Sequence, residues 1–226
     1  TGAPGAAAFR ATELSLKTAL LGEMELADAT ESLISIQGQY NLSTMEMSKA
    51  VDTLNMAEQN AGAKYGDYIE AMEKSAGTAR SAGIDIAHLT AMVSSLVPSA
   101  GSAAQAGNAL KTIFSRMLSP TREAAQVMGM MGVNVEDAAW KSMTGAERLE
   151  HMAKKYTELA DNVKGAGEVS EETGKKISPQ AVVVSKTVAS TWQISRFETL
   201  MRDLADENGR YATVLKAVSD EGENAQ

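Results

Sequence analysis

The chain has 226 residues, with 21 Lys and Arg against 29 Asp and Glu for a formal net charge of -8; this length suits one large domain or two small ones, and the charge excludes a basic nucleic-acid-binding surface. Hydrophobic residues make up 44% and aromatics only 4%, a mixture that favours helices packed through small and flexible side chains over a β-sandwich. There is no cysteine, which excludes disulfides and thiolate metal sites, and no run of about 20 apolar residues that could span a membrane.

Residues 1–8 are rich in Gly, Ala and Pro and read as a flexible linker. From Phe9 the pattern is helical, with breaks expected at Gly22, Gly38, Gly62, Gly66, Gly77 and Gly83. Ser43 and Glu46 have capping-box spacing and predict a helix to about Gln59, with Met47, Val51, Leu54 and Met56 as an approximate apolar face. A short helix is predicted from Tyr65 to Ser81. Asp85 can cap a helix carrying Ile86, Leu89, Met92, Val93 and Leu96, with Pro98 as its expected stop. Ala106, Leu110, Ile113, Phe114 and Met117 recur at helical spacing and form one face, while Lys111, Ser115 and Arg116 fall on the other side. Ser119 is placed to cap the following helix, Pro120 to open it, and Gly129 and Gly132 to loosen and stop it.

Thr144 and Glu147 make a second capping box ahead of the stripe Leu149, Met152, Ala153, Tyr156, Ala160 and Val163. Residues 165–177 are polar and glycine-spaced and read as a hinge. Ser178-Pro179 restarts a helix. It runs through Val182, Val183 and Val184, whose β-branching alone would suggest a strand, to a face of Ile194, Phe197, Met201 and Leu204. Asn208-Gly209 is a break, Tyr211 to Val218 a last short helix, and residues 219–226 an acidic tail expected to fray. The expected fold class is all-α. It is an irregular bundle of short and medium helices broken by Gly and Pro, with no β-sheet. Residues 9–164 form its core and residues 178–218 its C-terminal helices.

Reactive chemistry is sparse. The two histidines, His88 and His151, lack the spacing of a zinc site. Glu168, Glu171 and Glu172 are the densest acidic group, but they lie on a polar segment and read as a solvated face rather than a glycosidase carboxylate pair. Gly129-Met130-Met131-Gly132 has no preceding strand and no phosphate-binding lysine after it, so it is not a P-loop, and no cofactor is called for. Met128, Met130, Met131 and Met143 admit two readings: an adaptable contact surface, or filling for a core poor in aromatics. Trp140 and Trp192 are core anchors or interface hot spots, and Arg116 and Arg196 serve structural ion pairs or interchain contacts.

The stretch from Ala106 to Val133, AGNALKTIFSRMLSPTREAAQVMGMMGV, resembles the signature of phage tail tape measure proteins of the TP901 type. In that family an alanine-glycine pair opens a helix rich in leucine and arginine. A proline-started helix follows and ends near a glycine-valine pair, here Gly132 and Val133. The segments from Ala82 to Met92 and from Val188 to Phe197 are similar to flanking family patterns, although Ser190 stands where relatives commonly have glycine.

The resemblance implies a structural, non-enzymatic protein of the virion. It would assemble in the bacterial host cytoplasm, occupy the tail lumen, set tail length and leave ahead of the DNA. It implies a homo-oligomer, a trimer or hexamer, and contacts with tail tube, tail-tip or baseplate, and assembly chaperone proteins. It implies no specific nucleic-acid binding by this segment. The 18 glycines are unlike an uninterrupted helical ruler, so the length-setting coil is expected elsewhere in a longer parent protein. Two alternatives are a peptidoglycan hydrolase fragment carried by the tail and a generic helical interaction module.

Overall fold

Two helices rich in small residues cross at the centre of the computed structural model, which describes residues 4–61, 63–162, 168–169, 176–189 and 194–224. They are α4 (Tyr65–Ser81) and α6 (Ala103–Leu118). Ala71, Ser75, Ala76 and Ala79 of α4 and Ala103, Ala106, Gly107 and Ala109 of α6 are buried, which lets the two backbones approach closely. A Cβ added at Gly107 would lie 2.5 Å from the Ala71 carbonyl oxygen and 3.0 Å from Lys74 Cβ. Only glycine fits that spot without moving backbone. Leu110, Ile113, Phe114 and Met117, the apolar stripe expected from spacing, are all buried.

The helices α1 (Pro4–Gly22), α2 (Leu26–Tyr40) and α3 (Thr44–Ala61) pack around α4. Helix α5 (Ile86–Ala100) runs through the middle, touching α3, α4 and α6 on one side and α11 and α12 on the other. Its residues from Leu89 to Leu96 are all buried, as expected for a helix enclosed on every side. After α7 (Arg122–Met130) and the short α8 (Ala138–Ser142), α9 (Gly145–Asp161), α10 (Pro179–Ala189), α11 (Ile194–Ala205) and α12 (Arg210–Asn224) complete the bundle. Helix α11 packs on α9 and α5, α10 on α7, and α12 on α5 and α3, so the C-terminal helix closes against the N-terminal half. The fold class is all-α, as expected. The one addition is a two-residue antiparallel pairing, Glu168–Val169 (β1) with Lys176–Ile177 (β2), inside the segment read as a hinge.

Polar pins join the helices. All five tyrosines of the chain bond across element boundaries. The Tyr65 hydroxyl lies 3.1 Å from Thr18 Oγ1, Tyr68 2.8 Å from Ser94 Oγ and Tyr156 2.9 Å from Ser185 Oγ. Tyr40 donates to the Ile84 carbonyl at 3.1 Å and Tyr211 to Glu150 at 2.7 Å. Burial pushes the phenols of Tyr65 and Tyr68 up to about 12, so each remains neutral. Asp203 of α11 accepts from the first two amides of α12, Arg210 at 2.9 Å and Tyr211 at 2.8 Å, and from the Ser95 hydroxyl of α5.

Helix starts follow the sequence closely. Ser43 and Glu46 exchange backbone and side-chain bonds, Thr144 and Glu147 form a capping box, Asp85 caps α5, and Ser178 caps α10 with Pro179 in its first position. Helix stops and lengths differ more. Pro98 lies within the last turn of α5, which continues to Ala100 and ends at left-handed Gly101. Near a C-terminus one lost amide bond is tolerated because burial holds the helix. Thr121 rather than Ser119 caps α7, with Pro120 just before it. Gly132 does stop α7: its amide bonds to Gly129 and that of Val133 bonds back to Met128.

Gly38, Gly66 and Gly77 sit inside helices, since a propensity cost of about 1 kcal/mol is outweighed by packing. Helix α1 starts at Pro4, inside the stretch read as a linker, and α12 reaches Asn224, inside the stretch read as a tail. Of the single helix expected after Pro179, the described residues form α10 and α11, and residues 190–193 between them lie outside the described residues. Gly62, Val163 and Ser190 lie outside the described residues.

Gly107→Ala is expected to lower stability by about 1–3 kcal/mol, the overpacking cost exceeding alanine's helix preference. Gly129→Ala, where an added Cβ meets nothing within 4 Å, should leave stability unchanged or raise it by up to about 1 kcal/mol. Urea unfolding of the two variants beside the parent checks both.

Candidate interaction surface

The residues singled out for contact by their sequence pattern are dispersed. Met128 and Met131 are 1% and 5% exposed and belong to the core, whereas Met130 at the end of α7 is 51% exposed. Met143 is partly buried against that core. Trp140 is buried in α8; the Arg148 guanidinium lies 5.7 Å from its ring centroid, and His151 meets it edge-on at 6.3 Å. Arg148 also donates to the carbonyls of Trp140 and Lys141, both at 2.9 Å, satisfying the end of that short helix. Arg116 is half-buried on α6. Arg196 donates to the Ala100 carbonyl at 2.9 Å and to the Gln105 side chain, tying α11 to the turn between α5 and α6. Trp192, Glu171 and Glu172 lie outside the described residues.

Among the described residues no group of three or more His, Cys, Asp or Glu side chains is arranged to hold a metal ion, and no helix is long and apolar enough to cross a membrane. His88 has a defined structural setting instead. Its Nδ1 lies 2.8 Å from the Asp85 carboxylate, the same group that caps α5, and its ring stands 6.4 Å from that of Tyr211 on α12. The bond to Asp85 raises the His88 pKa against the opposing effect of burial, with Glu150 and Glu147 of α9 adding to the rise. Burial pushes Asp85 up, but its bonds from His88 outweigh that and leave it lowered.

The exposed apolar surface is concentrated elsewhere, on α1–α3, a region for which the sequence reading proposed no contact. Phe9 is 73% exposed, Leu20 80% and Ile34 64%, and Leu16, Leu26 and Met45 are also exposed. Helix α1 buries Leu14, Ser15 and Thr18 against the bundle while Phe9, Leu16 and Leu20 face outward. At spacings of seven and four residues, these three lie along one side of the helix. Between α1, on the side that carries Leu14 and Ser15, and the other two helices lies a groove of about 190 Å³. Its lining includes Ala11, Leu14, Leu26, Leu33, Ile34 and Met47, and it contains no charged side chain. Two apolar sides on one helix are visible in the sequence, but which of them faces outward is decided by the neighbouring helices.

The chain is thus an all-α bundle with a glycine-mediated helix crossing and an outward apolar face. Residues 1–171 match the family of phage-related minor tail proteins, and the chain belongs to that family. It is also similar to a protein described as a probable tape measure protein of Escherichia phage P2, at 21% identity over 210 residues. That match takes in 93% of this chain and 25% of the relative, so the chain spans about a quarter of that protein's length. No solved structure matches the chain.

Met128→Ala should cost about 2–5 kcal/mol through the cavity it leaves, while Met130→Ala should change stability by less than about 0.5 kcal/mol; chemical denaturation separates the two. A raised histidine pKa stabilises the fold below the ordinary value near 6.5, and that contribution is lost as pH rises through the raised folded value. The stability advantage of the parent over His88→Gln is therefore expected to be larger at pH 6 than at pH 9, as read by urea unfolding at the two pH values.

Proposed function

We propose that the chain is a folded helical domain of a tail tape measure protein of the TP901 type. In this reading the parent protein occupies the tail lumen, sets tail length and leaves ahead of the DNA. The observation that carries the reading is the match of nearly the whole chain to the protein described as a probable tape measure protein of phage P2, together with membership of a family of phage-related minor tail proteins. The glycine-centred α6 supports the finer assignment, because the alanine-glycine pair of the signature, Ala106 and Gly107, is where α6 meets α4. The domain works by helix packing rather than by bond chemistry. Its partners are tail tube, tail-tip or baseplate, and assembly chaperone proteins, met by several copies of the parent protein within a symmetric tail assembled in the host cytoplasm.

The domain is not itself the ruler. The longest helix among the described residues, α1, has 19 residues and spans about 28 Å, and the helices fold back on one another. Inserting a second tandem copy of these 226 residues in the parent gene should lengthen tails by far less than the about 340 Å that the same number of residues would add as continuous helix. Electron microscopy of tails measures this. Deleting the domain should abolish normal tails; tails of unchanged form and number after deletion would contradict the assignment.

A further inference from the structure

We infer that His88 is a proton-sensitive clasp for α12: in its charged form it holds the start of that helix on the bundle, and loss of its proton lets α12 open on its own. The starts of three helices meet around this side chain. Asp85 caps α5; its carboxylate accepts the His88 amide at 2.8 Å and lies 2.8 Å from His88 Nδ1. Glu147 closes the capping box of α9, accepting the Thr144 amide at 2.7 Å. Tyr211, the second residue of α12, sets its ring 6.4 Å from the imidazole and donates its hydroxyl to Glu150 of α9 at 2.7 Å. The His88 side chain is 27% exposed, so solvent screens its charge less than at an open surface.

The charges around His88 come from few places. Asp85 stands at the start of its own helix, and α9 brings Glu150 and Glu147. From α12 it meets the Tyr211 phenol, which burial and then the bond to Glu150 keep protonated. Tyr40 of α2 lies near Asp85 and bonds to the Ile84 carbonyl. Arg210 of α12 and Glu58 of α3 act on Tyr68 of α4, Asp203 of α11 meets α5 two turns further on at Ser95, and the buried side of α6 carries no charge. Lys154 and Lys216 share a groove with Glu150 and Tyr211. Protonated, His88 gives Asp85, Glu147 and Glu150 a common cation; neutral, it leaves three carboxylates facing one another. Asp85 and Glu147 are fixed by the backbone amides they cap, whereas Glu150 is tied to α12, so the repulsion is relieved at the Glu150–Tyr211 bond. The bond to Asp85 and the two glutamates of α9 raise the His88 pKa, so the clasp is closed below the ordinary value near 6.5 and is lost as pH rises through the raised value. Val214 and Val218 of α12 are buried contacts that take no proton, so the change is a shift in an opening equilibrium rather than loss of the helix. The inference does not depend on the tail assignment.

Hydrogen exchange of the 226-residue chain at about pH 6 and about pH 9 tests it, each rate taken against that of an unstructured amide at the same pH. Interior amides of α12, such as those of Val214 and Val218, should be less protected than those of α4 and α6 at both pH values. They should lose about threefold or more of their protection at the higher pH, the order expected of a partly buried charge pair. Amides of α1, which packs on α2, α3 and α4, should show no such step. His88→Gln keeps a donor for Asp85 but takes up no proton, and the step at α12 should vanish. Glu150→Gln keeps an acceptor for Tyr211 without the charge, and the step should shrink. Circular dichroism should show unchanged helix in both variants. A parent whose α12 protection does not fall at the higher pH overturns the inference. So does an α12 that exchanges only together with α4 and α6, or a step of the same size in His88→Gln as in the parent.

Discussion

The close crossing of α4 and α6 at Gly107 is the contact on which the rest of the molecule depends. A Cβ there would stand 2.5 Å from the Ala71 carbonyl oxygen, so the two helices are near the limit that backbone permits. Close approach of small residues brings many atoms into dispersion range with little side-chain entropy to lose. Other elements build on that pair: α1, α2 and α3 cover α4, and α5 lies against both helices and carries the contact on to α11 and α12. A second close approach joins the halves. Gly145 opens α9 with its amide 3.3 Å from the Gly83 carbonyl, and a Cβ at Gly145 would be 2.0 Å from the Ala82 carbonyl oxygen. The turn that ends α4 is thus the seat of α9.

With few aromatics, the core cannot rely on large rings, and it uses two substitutes. Methionines such as Met72, Met92, Met117, Met152 and Met201 fill the space left by alanine-rich faces. Tyrosines supply both volume and direction: each hydroxyl needs a partner once buried, so each fixes the rotation of one helix against its neighbour. Tyr156 shows this clearly. Its hydroxyl bonds to Ser185 of α10 while its ring meets Phe197 of α11 edge-on at 5.4 Å. Three helices are set by one side chain.

Helix positions were legible in the sequence wherever the signal was local. Capping boxes at Ser43 and Thr144, the caps at Asp85 and Ser178, and the stripe from Ala106 to Met117 all rest on contacts within a few residues. Features decided by distant contacts were not legible. Pro98 and Gly77 look like helix breakers but lie within helices held by their surroundings. Gly77 even admits the Gln39 side chain, which accepts its amide at 2.8 Å. The contact surface shows the same division. Met128, Met131 and Trp140 have the composition of an interface, yet the fold buries them, and the outward face is formed by Phe9, Leu16 and Leu20. No periodicity in α1 says which of its two apolar sides the bundle takes; that depends on where α2 and α3 pack.

Native-state hydrogen exchange tests the primacy of the α4–α6 crossing most directly. If that contact organises the fold, interior amides of α4 and α6, such as those of Met72, Ala76, Leu110 and Phe114, exchange only through global unfolding and are the slowest in the chain. Amides of α1 and of the end of α12 should exchange through smaller, local openings. Fast local exchange within α4 and α6, with the slowest amides confined to α9 and α11, would contradict the account.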